Sequence, residues 1–155
     1  MSASPLHLAR RFFGSLGRRE PAAADEAWVR SVLSAGELAL WRRMPAADRR
    51  HAIGVARAVP VELAPAALLH DVGKTVSGFG TFARVVATLL ALLGRDRWGG
   101  RIGAYLHHDE LGADLLHAAG SDDLTVAWAR EHHLPPTRWT VSPDVGALLK
   151  AADDD

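Results

Sequence analysis

Apolar residues in this chain recur three or four apart on a background of Ala, Leu and Arg, and no run of β-branched and aromatic residues alternates with polar ones. That period lays one apolar stripe along a helix and leaves no dry face for a strand. The expected fold is all-α, a compact bundle of several helices. Across 155 residues there is no repeat and no linker long enough to divide the chain, so one domain over 1–155 is expected. Within it, 1–44 reads as an N-terminal helical extension and 45–155 as the core that carries the chemistry.

Local signals mark the helix ends. Residues 6–16 set Phe12, Phe13 and Leu16 beside Arg10 and Arg11, with Arg18 and Arg19 following. A helix folded onto the domain is expected there, although a basic and aromatic segment over 6–19 also suits contact with an anionic membrane surface. Pro21 opens a helix through Trp28 and Leu33, and Ser34 with Glu37 forms a capping box for a third carrying Leu38, Leu40 and Trp41. Pro45 begins a fourth that ends near Pro60. A short helix over about 65–72 stops at Gly73, a glycine placed for a left-handed C-cap. The longest apolar run, 79–93, contains Arg84 and falls short of a membrane span, so it reads as a helix buried on most sides. A loop rich in Gly and Arg over 94–103 precedes helices over about 110–119 and 121–132. Pro135 and Pro136 then break the chain, and Ser142-Pro143 caps a last helix over about 144–153.

Composition narrows the chemistry. The absence of cysteine removes disulfides, thiolate metal sites and cysteine nucleophiles, leaving imidazole and carboxylate as metal donors and favouring Mn, Fe, Co, Ni or Zn. Equal numbers of basic and acidic residues, 18 of each, argue against a general nucleic-acid coat, and no stable nucleic-acid complex is expected. Without a span-length apolar run or a signal-peptide pattern, the expected location is the cytoplasm. Neither a Ser-His-Asp elbow nor a phosphate-cradling Gly-Lys loop is present.

The stretch Ala66-Ala67-Leu68-Leu69-His70-Asp71-Val72-Gly73-Lys74 ends a wholly apolar lead-in with an imidazole beside a carboxylate. A buried carboxylate must be matched by a cation, hydrogen bonds or a metal. His70 and Asp71, about a hundred degrees apart on a helix, can both touch an ion along one edge. Lys74 then projects near the same end, where an ammonium can hold a phosphoryl oxygen or the attacking water. A buried His–Asp hydrogen bond with a lysine complementing the helix dipole explains the same residues without a metal. Other polar groups also fall on apolar stripes. His51 precedes Val55 by four, Asp153 follows Leu149 by four, and His132 follows Trp128 by four with Glu131 and His133 beside it. His107 and His108 stand where the helix carrying Leu111 and Leu115 begins. Six of the eight histidines fall in these four places, a concentration that points to a site.

In this order, a histidine, then His-Asp, then further histidines, then an aspartate, the chain resembles the HD-domain superfamily of metal-dependent phosphohydrolases, over about 51–153. The resemblance implies His51, His70, Asp71 and Asp153 as ligands of a first metal. His108, four before Gly112-Ala113, and the His132-His133 pair would serve a second, with Asp71 bridging. It implies two divalent ions (Mn, Fe, Co, Ni, Zn or Mg), a metal-activated water as nucleophile, and Asp71 and Lys74 as catalytic groups. The substrate implied is a small phosphoester such as a nucleotide, cleaved as a phosphomonoester or phosphodiester, with Lys74, Arg50 and Arg101 as candidate phosphate contacts; Arg130 and Arg138 are further candidates. Members that cleave cyclic dinucleotides carry Asp-Gly-x-Gly-Tyr-Pro after His-His, whereas Leu134-Pro135-Pro136-Thr137 stands here, so that substrate is not expected. The acid that three-metal members place one turn before the first ligand is Ala47 here, with Asp48 out of register, which favours two ions. Two other readings remain: a di-iron oxygenase of the same superfamily, and a non-catalytic module that binds a nucleotide or a protein partner.

Overall fold

In the computed structural model, which describes residues 19–77 and 108–154, every regular element is helical. In chain order these are α1 (Ala23–Val32), α2 (Ala35–Trp41), α3 (Ala46–Arg57), α4 (Ala64–Leu69), the single turn α5 (Lys74–Ser77), α6 (His108–Ala118), α7 (Asp123–Glu131) and α8 (Pro143–Asp154). Short 3-10 turns at Val61–Leu63 and Pro136–Arg138 lead into α4 and close the connection after α7. The all-α expectation therefore holds. The segments 6–16, 79–93 and 94–103, together with Arg101 and His107, lie outside the described residues.

Helix starts follow local chemistry. At α2, the Glu37 N–H donates to Ser34 Oγ at 3.3 Å and the Ser34 N–H donates to Glu37 Oε2 at 2.9 Å, the capping box read from the sequence. The expected start at 121 moves to Asp123, because the Asp122 carboxylate accepts from the Thr125 N–H at 2.7 Å. Gly73 is not a left-handed cap: among the described residues only Gly120 has positive φ, at 79°. There the Ser121 N–H reaches the Leu116 carbonyl at 3.0 Å and the Gly120 N–H reaches the His117 carbonyl at 3.1 Å, the paired bonds of a Schellman ending. Gly73 has a different reason. A Cβ at this position would lie 1.8 Å from the His108 carbonyl oxygen and 2.8 Å from the Gly112 nitrogen, so glycine lets the turn after α4 press against the α6 backbone.

α4 is the centre of the packing. Ala64, Ala66, Ala67, Leu68 and Leu69 are all buried, and α2, α3 and α7 pack around them. Trp41, Leu116, Trp128 and Leu149 complete one continuous core, to which each fully buried leucine contributes about 1.5–3 kcal/mol. α7 lies along α6, and α8 packs on α3. The C-terminal end of α4, with His70 and Asp71, thus opens where α3, α6, α7 and α8 meet. No helix among the described residues is long and apolar enough to cross a membrane.

Candidate metal centre

His70 is 2% exposed, and its Nδ1 stands 2.8 Å from the Ala67 carbonyl oxygen. A carbonyl can only accept, so in the neutral ring Nδ1 carries the proton and Nε2 holds the free electron pair. That nitrogen faces two carboxylates, Asp71 Oδ2 at 3.6 Å and Asp153 Oδ1 at 3.5 Å. On the outer side, His51 Nε2 approaches Asp153 Oδ1 at 2.9 Å. His51, His70 and Asp153, from α3, the end of α4 and α8, form one group able to hold an ion.

The second group repeats the design. His132, fully buried, has Nδ1 between the Trp128 and Ala129 carbonyl oxygens at 3.2 and 3.1 Å. Its Nε2 therefore also faces inward, to Asp71 Oδ1 at 3.6 Å and Asp109 Oδ1 at 3.8 Å. His108 Nε2 lies 3.7 Å from Asp71 Oδ1, and His133 joins them to complete a set of Asp71, His108, His132 and His133. The two oxygens of Asp71 thus serve different groups. Oδ2 also pairs with the Lys74 ammonium.

Charge is concentrated here. Burial opposes ionisation of Asp71, but Lys74, His70 and His132 outweigh it and hold the carboxyl well below its ordinary value. Asp153 is likewise far below, since the bonds from His51 and His70 overcome its burial. Burial disfavours a charged His70, yet Asp71 and Asp153 raise its pKa. His133 goes the other way, lowered to about 4 by burial and by His132. Its side chain is still 47% exposed.

A divalent cation fits these donors. Two ligands each about 2.1 Å from one ion stand about 3.0 Å apart when adjacent and about 4.2 Å when opposite. The imidazole–carboxylate contacts within the two groups run from 2.9 Å, between His51 and Asp153, to 3.7 Å, between His108 and Asp71, and all donor atoms of a group lie within 4.8 Å of one another. Asp71 Oδ1 and His132 Nε2 are buried and make no hydrogen bond among the described residues, although they face each other. An electron pair aimed at a carboxylate calls for a proton or a metal between them, and a histidine whose other nitrogen is fixed by a carbonyl is the usual metal ligand.

His51, His70, Asp71, His108, His132, His133 and Asp153 are therefore brought together, and Lys74 lies at their edge. Arg50 donates to the Arg19 carbonyl and lines a cleft with Glu20, Asp25 and Ile53, residues that belong to neither group. Arg130 and Arg138 are exposed. Two acids carry more than their sequence positions suggested. Asp109 looks like an ordinary first-turn carboxylate complementing a helix dipole, yet it lies 2.8 Å from His108 Nε2. Glu131 accepts from the Thr140 N–H and hydroxyl, each at 2.6 Å, and its signal was available: it lies three after Trp128 on the buried stripe. No protein-family model, curated protein or solved structure matches the chain.

Proposed function

We propose that this chain is a metal-dependent phosphohydrolase of the HD superfamily, a phosphomonoesterase or phosphodiesterase acting on a small nucleotide or a related phosphoester. One observation carries it: the buried rings of His70 and His132 are both locked through Nδ1 by backbone carbonyls, and both aim Nε2 at Asp71. Two divalent cations, when bound, would supply Lewis acidity toward phosphoryl oxygens and a water acidic enough to attack phosphorus near neutral pH. His51, His70, Asp153 and Asp71 Oδ2 would hold one, and His108, His132, His133 and Asp71 Oδ1 the other. The floor of the site, His70, Asp71 and His132, is buried, while His51 and His133 are partly exposed and leave a side by which substrate can enter. Lys74, already paired with Asp71, supplies the cationic group that takes up charge from a phosphoryl oxygen at that edge.

The experiment is metal analysis of protein purified without chelator, followed by a phosphoester screen with and without added Mn(II). Two ions per chain and metal-dependent turnover, both abolished by Asp71→Ala, are expected. Turnover that survives chelation or the Asp71→Ala substitution would overturn the proposal. So would turnover that needs iron and dioxygen, or metal binding with no hydrolysis across the screen.

A further inference from the structure

The two donor groups share one arrangement around their buried rings. In the first, the buried ring of His70 lies between Asp71 Oδ2 at 3.6 Å and the carboxylate of Asp153 at 3.5 Å. In the second, the buried ring of His132 lies between Asp71 Oδ1 at 3.6 Å and the carboxylate of Asp109 at 3.8 Å. The same Asp109 oxygen is 2.8 Å from His108 Nε2 and 3.9 Å from His133 Nε2, within ligand-to-ligand spacing of all three imidazole nitrogens. That oxygen is itself buried and makes no hydrogen bond among the described residues, on a side chain that is 24% exposed.

We infer that Asp109 is a metal ligand, the counterpart of Asp153, and that the second ion is held by three imidazoles and two carboxylates. The inference rests on the metal-centre proposal above and extends it to one further residue and to a class of metals that accept six ligands. Five donors leave a single position free in a six-coordinate shell, whereas His51, His70, Asp153 and Asp71 leave two. Two carboxylates beside three imidazoles suit Mn(II), Fe(II) or Co(II), which accept six ligands, better than Zn(II), which settles at four. The placement has a local cause. Asp109 follows His108 on the first turn of α6, and the close seat of Gly73 against the His108 carbonyl brings that turn onto Asp71.

Calorimetric titration of the full chain with Mn(II), and separately with Zn(II), tests this without any activity assay. The wild type should bind two Mn(II) ions. Asp109→Asn keeps the shape but is a poor ligand. It should weaken one of the two binding events at least about tenfold and lower the ratio of Mn(II) to Zn(II) affinity. Two ions bound by Asp109→Asn with wild-type affinity, while Asp109→Ala is weakened, would mean that Asp109 only orients His108, and the inference fails alone. A wild type that binds no ion overturns the metal centre itself. Helical circular dichroism checks folding, and Asp109→His covers the case of an unfolded Asn variant. A new nitrogen ligand must shift preference from Mn(II) toward Zn(II) or Ni(II), and an unchanged ratio overturns the inference.

Discussion

Asp153 Oδ1 lies 2.9 Å from His51 Nε2 across 102 residues of chain, so the last helix and the third share one charged contact at the rim of the site. The same carboxylate also raises the pKa of His70, after Asp71. Asp153→Asn should therefore lower the His70 pKa in metal-free protein, read by NMR titration of the ring. It should also reduce metal binding from two ions to one. A His70 pKa that does not move would show that Asp71 alone sets its charge.

Proton balance gives a second prediction. With its pKa raised, His70 in metal-free protein keeps its proton above the usual value of about 6.5. Its contribution to stability is fully present below that value and is lost as pH rises through the folded pKa. The lowered pKa values of Asp71 and Asp153 act oppositely, adding stability above about pH 3.8 that is lost as pH falls through their folded values. A metal must displace the His70 proton, so binding near pH 7 should release protons and tighten as pH rises. Calorimetry in two buffers of different ionisation enthalpy measures the release, and a pH-independent affinity over 6 to 8 would contradict it.

Much of this was legible because helices write their ends and stripes locally. The box at Ser34 and Glu37, and the positions of His132 and Asp153 four residues beyond buried Trp128 and Leu149, need only spacing to be found. Gly73 and Asp109 were not legible in that way. A glycine after a short helix has the same local pattern whether it caps or is pressed by another backbone, and only the approach of α6 decides between them. Asp109 stands beside both His108 on α6 and His132 at the end of α7, a relation that no single-helix period contains.

The Gly73 contact leads to a stability prediction. A methyl group there would meet the His108 carbonyl at 1.8 Å, and backbone cannot rotate aside as a side chain can. Gly73→Ala should destabilise by about 3 kcal/mol or more, or prevent folding. At Gly112 the nearest atoms are the Gly73 nitrogen at 3.1 Å and Cα at 3.3 Å, also backbone but farther off, so Gly112→Ala should cost less, about 1–2 kcal/mol. Urea denaturation distinguishes them, and equal losses would mean that the α5–α6 seat is not the constraint.

Glu131 ties the histidine pair to the helix that carries Asp153. Its buried carboxylate accepts from the Thr140 N–H and hydroxyl at 2.6 Å and from the Val141 N–H at 3.4 Å, while Trp139 Nε1 bonds the Glu131 carbonyl at 3.1 Å. Trp139 in turn packs edge-on to Trp128 at 5.4 Å and covers Gly146 of α8. These contacts fix the path from His132 and His133 into α8, and so the register of Asp153. Removing the carboxylate strands several donors, each costing about 1–3 kcal/mol where water cannot replace it. With Thr140 exposed, water recovers part of that loss, and Glu131→Ala should destabilise by about 2–4 kcal/mol. Glu131→Gln keeps an accepting oxygen but turns an NH2 toward a donor, so its loss should be smaller. In both variants metal affinity should fall in the same order as stability, because the ligands on either side of the connection lose their common anchor. Denaturation and Mn(II) titration of both proteins test this, and wild-type affinity in a destabilised Glu131→Ala would show that the two helices hold their ligands independently.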